Sequence, residues 1–573
     1  MSVSRSMSRA VRRPTIITFA VLALSIIVPS VTAAGNGGPP GDVDVQLLAI
    51  NDFHGNLEPP TGSSGVVLGT PAGGVDYLAT HIRQLHATNP DRTLEVAAGD
   101  LIGGSPLISA AFHDEPTIEE MNAIGLDISA VGNHEFDEGV DELLRMQNGG
   151  CHPTDGCQDG DGFDGASFQY LAANVVKKSN GKPIFPAYKT RSLGGAKIGF
   201  IGLTLEGTAS IVSPSGIQSV TFLDEAETIN AATQELKAKG IHTVVVLIHE
   251  GGGQGTGATV NGCSNFSGAI NGIVSQLDDE VDLVISGHTH NFYNCSLPNK
   301  VNRSIPVTSA SSFGRVITDI DMTINRSSDQ PTSITVNNRV VTRDVALDPA
   351  ADTILQKYKT AVAPIANRVV GKITSTITRT NNAAGESALG DVIADAQMAY
   401  TQSAGAQFAF MNPGGIRTDL VYDASGGGEP DGEVTFGEVF NVQPFNNLVV
   451  TQTMTGAAIK AALEQSFIGC FGRTQATVIL QVSAGFSYTY DTTRPCGERI
   501  TAISLNGVPL DPAASFKVTM NNFLADGGDS FPGMTAGTGR VTAPLFDVDA
   551  LAAYLGAGAP VAPGPQNRIV KAA

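Results

Sequence analysis

Five short polar clusters in the first half of the sequence each follow directly after an apolar, β-branched segment, and together they supply seven candidate metal ligands. Asp, Asn and His ligate divalent first-row metals, and no Cys accompanies them to favour a softer ion. Seven ligands are too many for one tetrahedral site, but they suit two ions that share a bridging carboxylate. The sequence therefore predicts a centre of two divalent metal ions, with Zn, Mn or Co expected. The candidate ligands are Asp52, His54, Asp100, Asn133, His249, His288 and His290.

The stretch G-N-H-E-F-D, residues 132–137, adds groups that handle protons. His134 is better placed to act on a substrate than on a metal, and Asp137 lies one helical step further on. A carboxylate at that position fixes the tautomer of an imidazole or stabilises an imidazolium. We therefore predict that His134 and Asp137 form the catalytic pair. We interpret Glu135 as a solvated or helix-start acid, as most charged residues near helix N-termini are.

The elements that must hold these clusters alternate as strand, loop and helix from residue 43 to about 344. Short apolar strands such as T-L-E-V-A-A and V-D-L-V-I-S are typical of sheets that are buried on both faces. In open α/β sheets, ligands bind beyond the carboxyl ends of the strands, where all five clusters stand. Residues 333–343 are predicted to form an antiparallel pair of strands. Residues 348–369 are predicted to form a helix with a Pro interruption, after which a second α/β pattern begins.

Length and composition limit what the protein can be. A chain of 573 residues is too long for one hydrophobic core, so at least two domains are expected. The formal net charge of −20 argues against nucleic-acid polymers as partners, because phosphate backbones are bound by clustered Lys and Arg. A small anionic substrate is compatible with this charge if metal ions make the site locally positive.

The N-terminus has the pattern of a secretory signal. Arginines precede an apolar run from Ile16 to Val28, and small residues suited to cleavage follow at Ala33 and Ala34. A membrane anchor is the alternative, but the run is short for a span of about 20 residues. We predict a signal peptide over residues 1–34, a secreted or periplasmic location, and no membrane anchor after cleavage.

Six cysteines in an exported chain suggest disulfide bonds. Free thiols or a zinc knot are the alternative, which the lack of any C-x-x-C motif disfavours. Pairs that are close in sequence cost less chain entropy to join than distant ones. The predicted pairs are therefore Cys151–Cys157, Cys263–Cys295 and Cys470–Cys496.

The motifs D-x-H, G-D, G-N-H-E, a strand-end His and G-H-x-H, in this order, resemble those of the calcineurin-like metallophosphoesterases. In the second half, G-E-S-A-L-G-D, N-P-G-G-I-R, V-Q-P-F-N-N and N-F-L-A-D-G-G-D-S-F resemble the C-terminal domain of secreted and periplasmic 5'-nucleotidases. The resemblance implies an α/β fold, with a four-layer metallophosphoesterase β-sandwich flanked by helices and a second α/β domain. The implied segments are residues 42–345 for the first domain, 346–369 for a linker helix and 370–566 for a substrate-binding C-terminal domain.

The resemblance also implies a role for each matching residue. The catalytic pair would again be His134 and Asp137. One metal ion would be held by Asp52, His54, Asp100 and His290. The other would be held by Asp100, Asn133, His249 and His288.

For the substrate, the resemblance implies that Phe445 and Phe523 sandwich the base and that Asp529 meets the ribose hydroxyls. This chain lacks an Arg that relatives often carry before the E-S-x-x-G helix, so phosphate recognition would rest on Arg417 or Arg379. Asp526 replaces an amide that is often seen before G-G-D, which leaves its role open. The implied substrate-binding residues are Asn412, Arg417, Phe445, Phe523 and Asp529.

Together these features predict an exported 5'-nucleotidase that releases phosphate from nucleoside 5'-phosphates, with nucleotide sugars as further substrates. A 2',3'-cyclic-nucleotide phosphodiesterase or a broad phosphoesterase on the same scaffold is the alternative enzyme. A non-catalytic extracellular nucleotide-binding protein is the alternative from another class, and the complete ligand set argues against it. The expected partner is a small nucleotide, and the chain is expected to be a monomer.

Overall fold

The computed structural model describes residues 41–425, 427–473 and 476–572. The predicted signal peptide, residues 1–34, lies outside the described residues. None of the helices within them combines the length and the apolar character needed to cross a membrane.

Two six-stranded sheets form the centre of the first half. In each sheet four neighbouring strands run parallel, and antiparallel strands lie at one edge or at both. The first sheet, in spatial order, consists of Gln330–Val340, Val316–Asn325, Asp42–Ile50, Thr93–Ala98, Ile128–Ala130 and Gln169–Leu171. The second sheet consists of Phe292–Pro298, Ser304–Ala310, Val281–Ser286, Thr243–His249, Ala196–Thr204 and Tyr188–Leu193.

The two sheets pack face to face through one apolar layer. Leu47 and Val96 of the first sheet and Val245 and Leu283 of the second belong to the same buried cluster. Helices cover the outer face of each sheet, so both faces are buried and the strands are continuous hydrophobic runs. This arrangement confirms the predicted four-layer fold. The covering helices are Val75–His86, Glu115–Ile124 and Val140–Asn148 on the first sheet, and Glu225–Ala238 and Ala269–Val274 on the second.

Helix Pro349–Ala366 confirms the helix predicted after the first domain. The side chain of its N-cap, Asp348, accepts hydrogen bonds from the backbone N–H groups of Ala350 and Ala351. Pro349 occupies the first turn, where a missing N–H donor costs nothing. Buried side chains of this helix belong to one apolar cluster that includes residues of both halves of the chain, so both halves pack against it.

The antiparallel pair of strands predicted over residues 333–343 is wrong. The segment belongs to a single strand, Gln330–Val340, which pairs with Val316–Asn325 at the edge of the first sheet. Within it, the buried amide of Asn338 donates to the backbone oxygens of Tyr293 and Ser309. These long-range hydrogen bonds allow a polar residue to lie inside a strand, which the local sequence does not reveal.

The second half is a separate α/β arrangement, as predicted. Two sheets share one apolar cluster. The five-stranded sheet consists of Gln481–Val482, Phe408–Met411, Ser515–Asn521, Leu448–Thr455 and Thr538–Phe546. The four-stranded sheet consists of Val508–Pro509, Ile500–Leu505, Phe486–Tyr490 and Ile569–Lys571. The helices are Ala388–Tyr400, Phe436–Val442, Gly456–Glu464, Asn522–Ala525 and Asp547–Leu555.

All three predicted disulfide bonds are confirmed. They join Cys151 to Cys157, Cys263 to Cys295 and Cys470 to Cys496. Each bond lies within one half of the chain, so none of them links the two halves.

Candidate active site

The carboxyl ends of the strands bring the predicted metal ligands to one edge of the fold. Asp52, Asp100 and Asn133 lie just past three neighbouring strands of the first sheet. His249 and His288 lie at the ends of two neighbouring strands of the second sheet. Because the strands within each set run parallel, their ends meet at the same edge.

One group of ligand atoms centres on Asp52. Its Oδ1 lies 3.2 Å from His290 Nε2 and 4.0 Å from His54 Nε2. The two imidazole nitrogens are 3.1 Å apart, and His54 Nε2 is also 3.5 Å from Asp100 Oδ2. Asp52, His54 and His290 are thus close enough to share one ion.

A second group centres on Asp100. Its Oδ2 lies 2.9 Å from His249 Nε2, and both residues form a further metal-competent group with His288. His288 Nδ1 is 3.0 Å from Asn133 Oδ1, so the amide oxygen stands beside this group. Asp100 therefore faces His54 of one group and His249 of the other, as a bridging carboxylate must. All seven predicted ligands are brought together.

The side chains of the site fit divalent cations. Two buried atoms, Asp52 Oδ1 and His249 Nε2, have no hydrogen-bond partner within the described part of the chain. Burying such atoms unpaired is costly, whereas a cation would satisfy both. His54 Nδ1 lies 2.7 Å from the carbonyl oxygen of Gly103, and His249 Nδ1 lies 2.8 Å from that of Ala98. A proton on each Nδ1 leaves the lone pair on Nε2, the orientation found in metal-bound His.

The electrostatics of the site differ between its imidazoles. Burial lowers the pKa of His54 and lowers that of His288 to about 3, so these rings are neutral and able to ligate a metal. Burial acts on His249 in the same direction, but the charges of Asp100 and Asp52 outweigh it and raise the pKa of His249 to about 10. The part of the site formed by Asp52, Asp100 and His249 therefore attracts positive charge.

Five of the ligands have the left-handed backbone conformation that most residues avoid. Each such residue costs about 1–3 kcal/mol and persists only where the surrounding structure imposes it. Their concentration at one edge indicates a site whose geometry is imposed by the fold. The φ values are 50° at Asp52, 48° at His54, 50° at Asp100, 69° at His288 and 56° at His290.

Two glycines allow the ligand loops to approach each other. A Cβ atom on Gly132 would lie 2.2 Å from Asp100 Oδ1, and one on Gly287 would lie 2.9 Å from Asp52 Oδ2. Each carboxylate accepts a hydrogen bond from the backbone of the facing loop, at 2.8 Å and 3.0 Å respectively. The glycines of G-N-H and G-H-x-H are thus required by close packing around the two carboxylates.

Glu135 is not solvated, although it does lie in the first turn of the short 3-10 helix His134–Phe136, as the helix-start alternative predicted. Its side chain is buried and accepts hydrogen bonds from the backbone N–H groups of Asp100 (2.9 Å), Leu101 (2.8 Å) and Gly132 (2.5 Å). Burial raises the pKa of Glu135 to about 8. Glu135 ties the loop that carries Asp100 to the loop that carries Asn133, a positioning role that its place in the sequence did not indicate.

His134 and Asp137 stand beside the ligands. Asp137 Oδ2 is 2.8 Å from His134 Nδ1, which leaves Nε2 available to a substrate. Burial alone would lower the pKa of His134, but the charges of Asp137 and Asp100 raise it above its ordinary value. His134 also forms a metal-competent group with His54 and Asp100. The metal content of a His134 variant is therefore the measurement that separates a catalytic role from a ligand role.

One cavity extends from this edge into the second half of the chain. The first half contributes Asn133, His134, Asp137 and His288 to its lining. The second half contributes all five residues predicted to bind the substrate, which are Asn412, Arg417, Phe445, Phe523 and Asp529.

Arg417 reaches from the second half to the metal ligands. Its Nη2 is 3.4 Å from His54 Nε2, and its guanidinium lies 5.6 Å from the centre of the Phe445 ring. Burial and the nearby charge of Arg379 lower the pKa of Arg417. Arg379 donates to the carbonyl oxygen of Ile416 at 3.2 Å and does not belong to the cavity lining. Arg417, and not Arg379, faces the site.

Asn412 and Asp529 form a hydrogen-bonded pair in the cavity wall. Asn412 Nδ2 donates to Asp529 Oδ2 at 2.7 Å, and Asn521 Nδ2 donates to Asn412 Oδ1 at 2.8 Å. Asn412 therefore orients Asp529.

Phe523 packs over Gly528, where a Cβ atom would lie 2.5 Å from the ring.

Sequence patterns missed part of the cavity lining. Residues 211–214, between the short helices Glu206–Ser210 and Pro214–Ile217, contribute to it, as do Asn447 and Asn522. Residues 211–214 belong to none of the quoted motifs, whereas Asn447 and Asn522 lie within V-Q-P-F-N-N and N-F-L-A-D-G-G-D-S-F but have no predicted role. Asp526 also lines the cavity, and its carboxylate pairs with Arg540.

Two family models match the chain. The model for calcineurin-like phosphoesterases matches residues 45–292, which include every predicted metal ligand. The model for the C-terminal domain of 5'-nucleotidases matches residues 369–536, which include every predicted substrate residue.

Individual proteins are similar over most of the chain. The endonuclease YhcR of Bacillus subtilis is 32% identical over 90% of this chain, although the chain spans only 40% of the length of that relative. A snake venom 5'-nucleotidase of Gloydius brevicauda is 26% identical, with 92% of this chain and 89% of that protein covered. The crystal structure of a 5'-nucleotidase precursor from Thermus thermophilus superposes with a TM-score of 0.77 at 27% identity and covers 92% of this chain and 99% of its own.

Proposed function

This chain belongs to the family that joins a calcineurin-like phosphoesterase domain to a 5'-nucleotidase C-terminal domain, and we propose that it is a metal-dependent 5'-nucleotidase. The shared cavity is the observation that carries this proposal. On one side the lining includes two predicted metal ligands, Asn133 and His288, together with His134. On the other side it includes two aromatic rings, Arg417 and Asp529. A phosphate group at the strand ends and a nucleoside in the second half can therefore be bound at once.

The strand-end residues hold two divalent ions in this proposal, with Zn, Mn or Co as the expected metals. When bound, the ions supply a water of lowered pKa and neutralise the phosphoryl oxygens. Glu135 keeps the loops that carry Asp100 and Asn133 in register. One ion is assigned to Asp52, His54, Asp100 and His290, and the other to Asp100, Asn133, His249 and His288.

His134 acts on the oxygen that leaves phosphorus. Asp137 accepts the hydrogen bond of His134 Nδ1–H, so Nε2 is the atom that can donate to the leaving oxygen. Arg417 brings a fixed positive charge to the same end of the cavity, where negative charge develops in phosphoryl transfer.

The nucleoside is bound by the second half. Phe445 and Phe523 are both half-buried rather than core residues, and both line the cavity, as rings that stack on a base must. Asp529, oriented by Asn412, is positioned to accept hydrogen bonds from ribose hydroxyls. Nucleotide sugars are a further substrate class within this proposal, since their nucleoside part is the same.

We extend the proposal to the location and the organisation of the chain. Three disulfide bonds suit an oxidising compartment, and a venom protein is among the relatives. We propose that residues 1–34 are removed on export and that the mature chain is a monomer. The proposed segments are 42–345 for catalysis, 346–369 for the linker and 370–566 for substrate binding.

A phosphate-release panel tests the proposed function. Purified protein is assayed with nucleoside 5'-monophosphates, 2',3'-cyclic nucleotides, nucleotide sugars and a small aryl phosphate. We expect the highest kcat/KM for a nucleoside 5'-monophosphate. A clear preference for the cyclic nucleotides, or equal values for nucleotides and the aryl phosphate, would contradict the proposal in favour of the alternative phosphoesterases.

Replacing Phe523 with alanine tests whether the second half recognises the base. Stacking of a base on an aromatic ring is worth about 1–3 kcal/mol. We therefore expect Phe523→Ala to raise KM for a nucleoside monophosphate about tenfold or more, with little change for the aryl phosphate, which has no base.

Phe516→Ala is the matched control, because Phe516 is half-buried in the same half but does not line the cavity. It should leave the ratio between the two substrates unchanged. Equal losses on both substrates in Phe523→Ala, together with a lower Tm, would show that Phe523 only packs the core.

A further inference from the structure

A second group of imidazoles and carboxylates lies outside the catalytic cavity. His113 Nδ1 is 2.8 Å from Glu138 Oε2, and His113 Nε2 is 3.0 Å from Asp155 Oδ2. His152 Nδ1 lies 3.4 Å from the same oxygen of Asp155. These four residues do not line the cavity, and the proposed function uses none of them.

We propose that His113, His152 and Asp155 bind a third divalent metal ion, with zinc as the preferred metal. Their donor atoms lie within 4.8 Å of one another. In a tetrahedral zinc site with bonds of about 2.0–2.1 Å, neighbouring donors are about 3.3 Å apart. The distance of 3.0 Å from Asp155 Oδ2 to His113 Nε2 is close to that spacing, and His152 Nδ1 starts 3.4 Å from the same oxygen. Two imidazoles and a carboxylate form a ligand set that suits zinc.

Glu138 prepares His113 for this role. Its carboxylate accepts the hydrogen bond of His113 Nδ1–H, so Nε2, which lies 3.0 Å from Asp155 Oδ2, is the nitrogen that can bind an ion once its own proton is displaced. A carboxylate behind a ligating His fixes the tautomer and increases the basicity of the ring. The backbone N–H of Asp155 donates to His152 Nδ1 at 3.1 Å, so that nitrogen carries a lone pair.

Metal binding requires one local movement. The rings of His113 and His152 stack with their centroids 3.8 Å apart and their planes within 14°. Lone pairs in two parallel planes cannot both point at one ion, so the His152 ring has to turn out of the stack. The Asp155 side chain is 45% exposed, which leaves the site open to solvent and to an entering ion.

The disulfide bond Cys151–Cys157 limits the movement of this loop. Both His152 and Asp155 lie between the two cysteines. A short closed loop has few conformations to lose when an ion binds, so less binding free energy is spent on ordering it. Exposed carboxylates outside a closed loop would have more conformations to lose.

Protons compete with the metal at this site. The hydrogen bond to Glu138 raises the pKa of His113 to about 9, and Asp155 and Glu142 act in the same direction. At neutral pH an ion must therefore displace a proton from His113 Nε2.

Metal content tests this proposal. The full mature chain is stripped with chelator, reloaded with zinc, gel-filtered and analysed by mass spectrometry of the metal. We expect the wild type to retain one zinc equivalent more than His152→Ala. Because only the difference matters, the result does not depend on how many ions bind at the strand ends or on the proposed function. Phosphate release by His152→Ala should stay at the wild-type rate.

His242→Ala is the control, since His242 is another partly exposed imidazole near a carboxylate, 3.8 Å from Glu280, but has no second imidazole beside it. Its zinc content should equal that of the wild type. Asp155→Asn provides a second variant in case His152→Ala fails to fold. Equal zinc content in the wild type and in a folded variant of either kind would overturn the proposal.

Discussion

Replacing His249 with alanine is expected to remove one metal ion and nearly all activity. His249 is fully buried, its Nε2 lies 2.9 Å from Asp100 Oδ2, and that nitrogen has no hydrogen-bond partner among the residues that the structure describes. Losing a bound ion forfeits several kcal/mol of charge stabilisation in the transition state, so kcat should fall by about 10³ or more. Phosphate release and metal content per chain are measured on the same sample.

Chelation should give the same loss in the wild type, and Mn, Co or Zn should restore activity. His242→Ala controls for the general effect of removing an imidazole from the surface of the same half. Full activity of the wild type after exhaustive chelation, with metal content near zero, would refute the dinuclear mechanism. Normal metal content in an inactive His249→Ala would instead refute the ligand role of His249.

Replacing His134 with alanine is expected to lower kcat by about 10²–10⁴ while the metal content stays unchanged. This is the usual contribution of a placed acid or base. The reason is geometric: Asp137 holds the ring through Nδ1, and the ring lines the cavity beside the ligands. Loss of an ion from His134→Ala would show that it ligates a metal together with His54 and Asp100.

Asp137→Asn should cause a smaller loss of the same kind, because the imidazole remains but is no longer held by a charge. Asp141→Asn is the matched control, since Asp141 is an exposed carboxylate one helical turn further on. It should behave like the wild type. An equal loss in both Asn variants would show that the effect does not arise from the pair His134–Asp137.

The meeting of the predicted metal ligands at one edge of the fold could be inferred from the sequence because their signals are local. An apolar, β-branched run identifies a buried strand, and a polar cluster directly after it marks the carboxyl end of that strand. The linker helix was predictable for a similar reason, since its N-cap Asp348 and Pro349 are neighbours in sequence. The disulfide bonds joined cysteines that are close along the chain.

The errors concern residues whose environment is made by distant parts of the chain. The position of Glu135 near a helix start favours a solvated acid, yet its side chain accepts a hydrogen bond from the backbone of Asp100, 35 residues away. Asn338 lies inside a strand because its amide bonds the backbone of Tyr293 and Ser309. Neither partner is recognisable from the residues on either side.

The sequence by itself thus determined which side chains stand at the strand ends and which family motifs the two halves carry. Only the tertiary structure decided which atoms face each other. Arg417 approaches His54 across 363 residues, and Asn412 meets Asp529 across 117. Hydrogen bonds need separations near 3 Å, so these pairs depend on how the sheets and the two halves pack. That packing follows from thousands of weak contacts, and no short stretch of sequence contains it.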